Sequence, residues 1–137
     1  MSARVSKVHS ESKESYKVYL DRSQQFYETM LSASRSERWS AVGLNAVHCA
    51  ISMNDAMTIL FLGKRSVGDD HRSAADLIAQ VPVEDTRNQV SNYKRIIAKK
   101  NAIAYEEREF RQSEALEIVK QVERFYKWGL NHLPEVN

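Results

Sequence analysis

Apolar residues along this chain recur at spacings of three and four, and no stretch sustains a period of two. That rhythm is the mark of amphipathic helices, so the chain is predicted to be all-α. Over residues 12–33, Tyr16, Tyr19, Ser23, Phe26, Tyr27 and Met30 fall on one side of a helix. The stretch SASRSE interrupts it. There Ser34, followed three residues later by Glu37, has the form of a capping box, whose side-chain oxygens take up the free N–H groups of a helix start. A second helix is expected from that point to residue 62, with Gly63 as its stop. It carries Trp39, Val42, Ala46, Val47, Ala50, Met53, Met57 and Leu60, is apolar over most of its surface, and is predicted to be the central helix.

The loop GKRSVGDD follows, and Asp69 or Asp70 is placed to cap a short helix over HRSAADLIAQ that Pro82 closes. A fourth segment runs from residue 83 or 84 to the lysines at 99 and 100, and Val90, Tyr93 and Ile97 form its apolar stripe. After the polar stretch YEEREFRQ, a last helix begins near Ser113 and presents Ala115, Ile118, Val119, Val122, Phe125, Tyr126 and Leu130 on one side, with Pro134 as its stop. Short connections favour antiparallel neighbours. The expected architecture is therefore an up-and-down antiparallel bundle of four long helices plus one short helix, forming a single domain over residues 1–137.

Composition narrows the picture only a little. A chain of 137 residues that is 42% apolar and 28% charged is long enough to bury a core without metal or disulfide. The net charge of +2 gives no global field toward nucleic acid, so such a partner would have to meet a local patch. Lone Cys49, set among Ala46, Val47, Ala50 and Ile51, reads as a buried thiol. The amino-terminal MSARVSKVHS lacks an apolar signal core, and no run of about 18 apolar residues exists, so a cytoplasmic protein with no membrane contact is expected. His9 falls in an amino-terminal segment expected to fray and His132 in the last helical turn, and neither belongs to a zinc-binding spacing. No phosphate-binding glycine loop or nucleophile elbow is present, and neither metal nor cofactor is expected.

The polar residues on apolar faces carry the chemistry. In KKNAIAYEERE, Asn101 lies on the continuation of the stripe through Val90, Tyr93 and Ile97, which predicts an inward amide or one at a helix seam, with Tyr105 one turn beyond and Lys100 roughly 100° away. On the second helix, Asn45, His48, Ser52 and Asp55 recur at three, four and three. They read either as its solvent side or as a polar cleft or dimer face holding an imidazole and a carboxylate. His48 and Asp55 stand about 10 Å apart along the axis, too far to hydrogen-bond directly as a dyad. His71, in the first turn of the short helix, would be disfavoured as a cation by the helix dipole and favoured by Asp69 or Asp70. Lys94, Arg95, Lys99 and Lys100 make a local basic run, but Glu106, Glu107 and Glu109 follow it at once. By itself that is a weak sign of RNA contact.

Three passages taken in order resemble the HEPN family of small helical-bundle proteins. They are NAVHCAISMNDAMTILFLGKRS, DDHRSAADLIAQ and KKNAIAYEEREFRQSEALEIVKQVERFYKWGLNHL, and the likeness covers about residues 39–133. The resemblance implies a homodimer, a possible nucleotidyltransferase-like partner encoded as an antitoxin, and, in members that cut RNA, an RNxxxH motif across the dimer cleft. Here Lys100 stands at the arginine position, Asn101 matches, and Tyr105 stands where the histidine would be. A phenol with a pKa of about 10 exchanges protons poorly near neutrality, and lysine lacks the forked geometry that holds phosphate by two bonds. The expected function is therefore a non-catalytic or degenerate HEPN-like interaction module associated with nucleic acid or nucleotide, part of a toxin–antitoxin-like pair. The alternative is a metal-independent endoribonuclease acting on single-stranded RNA, with His48 or His71 brought to Lys100 and Asn101. A homodimer is also expected because the second helix looks too apolar for a short bundle.

Overall fold

The first two long helices form an antiparallel hairpin. Helix α1, Tyr16–Arg35, follows a single 3-10 turn and is joined by three residues to α2, Trp39–Leu62. This computed structural model describes residues 8–68 and 71–134, the side chain of His71 excepted. The joint corrects the predicted capping box. Ser34 still belongs to α1, and Glu37 sits in the left-handed region at φ 58°. The N–H of Arg38 donates to the Ala33 carbonyl (3.0 Å) and that of Glu37 to the Ser34 carbonyl (3.1 Å). Those two bonds close a helix C-terminus around a left-handed residue. The letters S-x-x-E therefore end α1 and leave the start of α2 with no side-chain cap at Arg38.

Gly63 ends α2 as predicted. It lies at φ 68°, where a side chain is disfavoured, and its N–H returns to the Ile59 carbonyl (2.9 Å). Its own carbonyl accepts the N–H of Glu11 (2.9 Å), the first tie between the two ends of the hairpin. Beyond it, Lys64–Ser66 (β2) pairs antiparallel with Val8–Ser10 (β1), with His9 opposite Arg65. The expectation of a frayed His9 is corrected by this short ribbon, which the helical periodicity gave no reason to expect. Arg65 Nε reinforces it with an ion pair to Glu11 (3.1 Å).

Helix α3, His71–Ile78, follows. Asp69, Asp70 and the His71 side chain, which carried the expected cap and the expected charge pairing, lie outside the described residues. Helix α4, Thr86–Ala98, begins at Asp85, which is left-handed (φ 66°) and accepts the side-chain amides of Asn88 (2.7 Å) and Gln89 (3.0 Å). It stops short of the opening lysine run. The N–H of Lys99 reaches back only three residues, to Ile96 (3.2 Å), and this tight turn swings the chain into the separate one-turn helix α5, Lys100–Ala104. Helix α6, Gln112–His132, completes the fold.

Helix α2 lies at the centre, in contact with α1, α3, α4, α5 and α6. Ala56, Met57, Thr58 and Ile59 are all buried, and successive residues on a helix point 100° apart, so this half of α2 is covered on every side. Met30 of α1 and Ile118 and Phe125 of α6 share one core with Met53 of α2, and all four are fully buried. Each such side chain contributes about 1.5–3 kcal/mol through removal from water. The arrangement is the predicted up-and-down all-α bundle. It also removes one expectation: the apolar surplus of α2 is satisfied inside one chain, so it gives no argument for a homodimer.

Candidate functional site

Close packing decides where α5 lies. A Cβ placed on Gly43 of α2 would stand 2.7 Å from the Phe110 ring and 2.9 Å from Ile103 Cδ1, so both side chains rest on the space that glycine leaves. Phe110 is buried although it sits in the polar stretch YEEREFRQ, and Arg108 beside it forks onto both carboxylate oxygens of Glu114 (2.9 Å each). Those bonds hold the Glu114 carboxyl down at about 2, and Glu114 also accepts the N–H of Arg111 (3.2 Å) at the start of α6.

With α5 seated on α2, its polar face turns outward. Asn101 is exposed and Tyr105 is 75% exposed, so the predicted inward amide is corrected. The cause is the break at Lys99: the stripe through Val90 and Tyr93 ends with α4, and in α5 it is Ile103 that packs inward. The tyrosine still stands one turn after the asparagine, its N–H on the Asn101 carbonyl (2.9 Å). Lys100 is half-buried and engaged, and Lys99 pairs with Glu117 of α6 (3.3 Å).

The polar stripe of α2 is not its solvent side. Asn45 is half-buried and donates to the Ala41 carbonyl of its own helix (2.8 Å). Ser52 is buried. His48 is half-buried against the ring of Phe26, centroids 5.4 Å apart. Its pKa is lowered, first by burial and then by the positive charge of Lys100, so the ring is held neutral. Thus the structure brings His48 and Lys100 into one electrostatic neighbourhood, while Asn101 and Tyr105 face water.

At the far end of the stripe, burial pushes Asp55 up to about 7, against the pull of Arg65 and Arg22 and with a further push from Glu11. Both arginines lie over the Tyr19 ring, at 5.0 Å for Arg22 and 5.4 Å for Arg65. Tyr93 of α4, fully enclosed, is pushed up by burial and by Asp55, and it also borders a groove of about 730 Å³ between α3 and α4, beside Ala75, Asp76, Lys94 and Ile97. Cys49 is the buried thiol that was predicted, its Sγ 3.4 Å from Ser23 Oγ and its pKa raised to about 12 by burial, which leaves it inert.

Among the described residues no three His, Cys, Asp or Glu side chains gather as a metal cluster, and no helix is long and apolar enough to cross a membrane. Sequence reasoning passed over Asn54 and Asn92, buried amides that tie α2 to α3 and α4 to α6. Comparison of the chain with protein-family models, curated proteins and solved structures finds no match.

Proposed function

We propose that the chain is a HEPN-like interaction module that holds single-stranded RNA or a nucleotide on the outer face of α5, without cutting it. One observation carries this reading: a phenol ring 75% exposed stands one helical turn from an exposed amide, on a short helix whose seat on α2 is fixed by Gly43. An open aromatic face stacks on any base, worth about 1–3 kcal/mol, and an amide can read a base edge. Burial does not explain such a ring. The test is fluorescence anisotropy with labelled single-stranded RNA at low salt. Tyr105→Ala is expected to weaken binding about 5- to 100-fold and Asn101→Ala about 5-fold, with unfolding curves unchanged. Wild-type affinity in both variants ends the reading.

The homodimer and the nucleotidyltransferase-like partner of a toxin–antitoxin-like pair belong to the same proposal. With the carboxy-terminal half of α2 enclosed, a second copy would need an apolar face nearer the start of that helix. Leu44 (42% exposed) and Leu116 (41% exposed) share with Tyr105 the end of the bundle where Gly43 meets Phe110. Light scattering is expected to give twice the chain mass, and Leu44→Glu to halve it.

A second reading, the metal-independent endoribonuclease, is favoured by His48, whose pKa is lowered by burial and by the positive charge of Lys100. A ring kept unprotonated can take the proton of a ribose hydroxyl while a cation steadies the phosphate. It requires cleavage of single-stranded RNA in chelator, lost in His48→Ala. Intact RNA after prolonged incubation excludes it.

A further inference from the structure

Helices α4 and α6 run antiparallel in a register that three contacts fix. Trp128 Nε1 donates to the Glu84 carbonyl (2.7 Å), Asn92 Nδ2 to the Gln121 carbonyl (2.8 Å), and Lys99 pairs with Glu117 (3.3 Å). Arg95 lies one turn past Asn92 on α4, and Arg124 lies one turn past Gln121 on α6, so the two arginines flank the crossing hydrogen bond from opposite helices. Together with Asn88, Gln89, Ser91 and Asn92 they line a single cleft of about 320 Å³.

The charge in this cleft is uncompensated. Its lining holds two guanidiniums and no carboxylate, and among the described residues neither Arg95 nor Arg124 is paired with an acid. The acids nearest in sequence are occupied: Asp85 by the amides of Asn88 (2.7 Å) and Gln89 (3.0 Å), Glu123 by Lys127 (2.8 Å). The floor is rigid, because Asn92 is 7% exposed and spends its Nδ2 on Gln121 and on Gln89 Oε1 (3.3 Å). Ser91 adds an exposed hydroxyl.

We infer that the α4–α6 cleft is a phosphate-binding site in which Arg95 and Arg124 hold one phosphate group between two helices. Guanidinium forks match the oxygens of phosphate by paired N–H donors, and two of them across a seam supply the convergence that a single surface cation lacks. The volume lies near the lower end of ligand pockets, about 300–1,000 Å³, room for a phosphate and an attached sugar. The phosphate belongs either to a small monoester or to the backbone of a strand; the recognising chemistry is the same.

The site is separate from α5, and its test does not depend on the function proposed above. Full-length protein at low salt is titrated calorimetrically with inorganic phosphate, with AMP, and with a 5′-hydroxyl oligoribonucleotide. Saturable binding of phosphate or AMP is expected to weaken at least tenfold in Arg95→Gln and in Arg124→Gln, with Arg95→Lys recovering only part. Arg87→Gln, on α4 outside the cleft, is expected to leave that binding unchanged, and circular dichroism checks each fold. Arginine-dependent binding of the oligonucleotide but not AMP assigns the phosphate to a strand; the converse assigns it to a small monoester. No saturable binding of any probe, or wild-type affinity in both glutamine variants, overturns the site.

Discussion

Asp55 and His48 belong to one stripe of one helix, yet burial shifts their proton affinities in opposite directions on the pH scale. Folded Asp55 keeps its proton up to about pH 7, while in the unfolded chain it loses it near pH 3.9. The folded state binds more protons across that window, so stability falls as pH rises from about 4 to 7, by on the order of 4 kcal/mol in all. His48 works the other way: its folded pKa is lowered, so its contribution is present above pH 6.5 and is lost as pH falls below it. Asp55→Asn isolates the first effect. Relative to wild type, the variant should gain stability steadily from pH 5 to pH 8 in urea unfolding, and a constant difference across that range would refute the half-buried, protonated acid. From sequence, this position looked like half of a polar stripe with two readings. The structure takes the stripe out of open solvent, because Phe26 of α1 lies against His48 and Arg22 of α1 and Arg65 of β2 lie over the Tyr19 ring near Asp55.

At the scale of elements, spacing predicted every long helix, and the errors sit at their ends. Ser34 and Glu37 fit a helix start by type, but hydrogen bonding decides, and Glu37 closes α1 in a left-handed conformation that costs a side-chain-bearing residue about 1 kcal/mol. Glu37→Gly is therefore expected to stabilise the protein by about 0.5–1 kcal/mol in thermal or urea unfolding. The break at Lys99 was illegible for a similar reason. Lysine, asparagine and alanine all tolerate continued helix, and what turns the chain is Ile103 and Phe110 finding the hollow at Gly43, a contact about 60 residues away in sequence. Gly43→Ala would push against the Phe110 ring and should cost about 1–3 kcal/mol. It should also loosen α5, seen as faster proteolysis between residues 99 and 109, with the rest of the bundle intact.

For the whole molecule, enclosure of α2 sets a hierarchy of stability. Amides in its centre, at Met53, Ala56 and Met57, should exchange with solvent only through global unfolding, whereas those of α5, a single turn with no buried residue, should exchange through local opening. Native-state hydrogen exchange measures both, and equal protection would contradict the central position of α2. The fold class was readable because five amphipathic segments of this length have few ways to bury their stripes. The α4–α6 cleft was not, since Arg95 and Arg124 become neighbours only through antiparallel register.

The hydrogen bond from Trp128 to Glu84 also makes the protein its own optical gauge. Trp128 is almost enclosed at the α4–α6 seam, whereas Trp39, the other indole, is half-buried at the start of α2. In Trp39→Phe, emission would arise from that seam alone, and its wavelength would record, in real time and without a label, whether the two helices part or clamp.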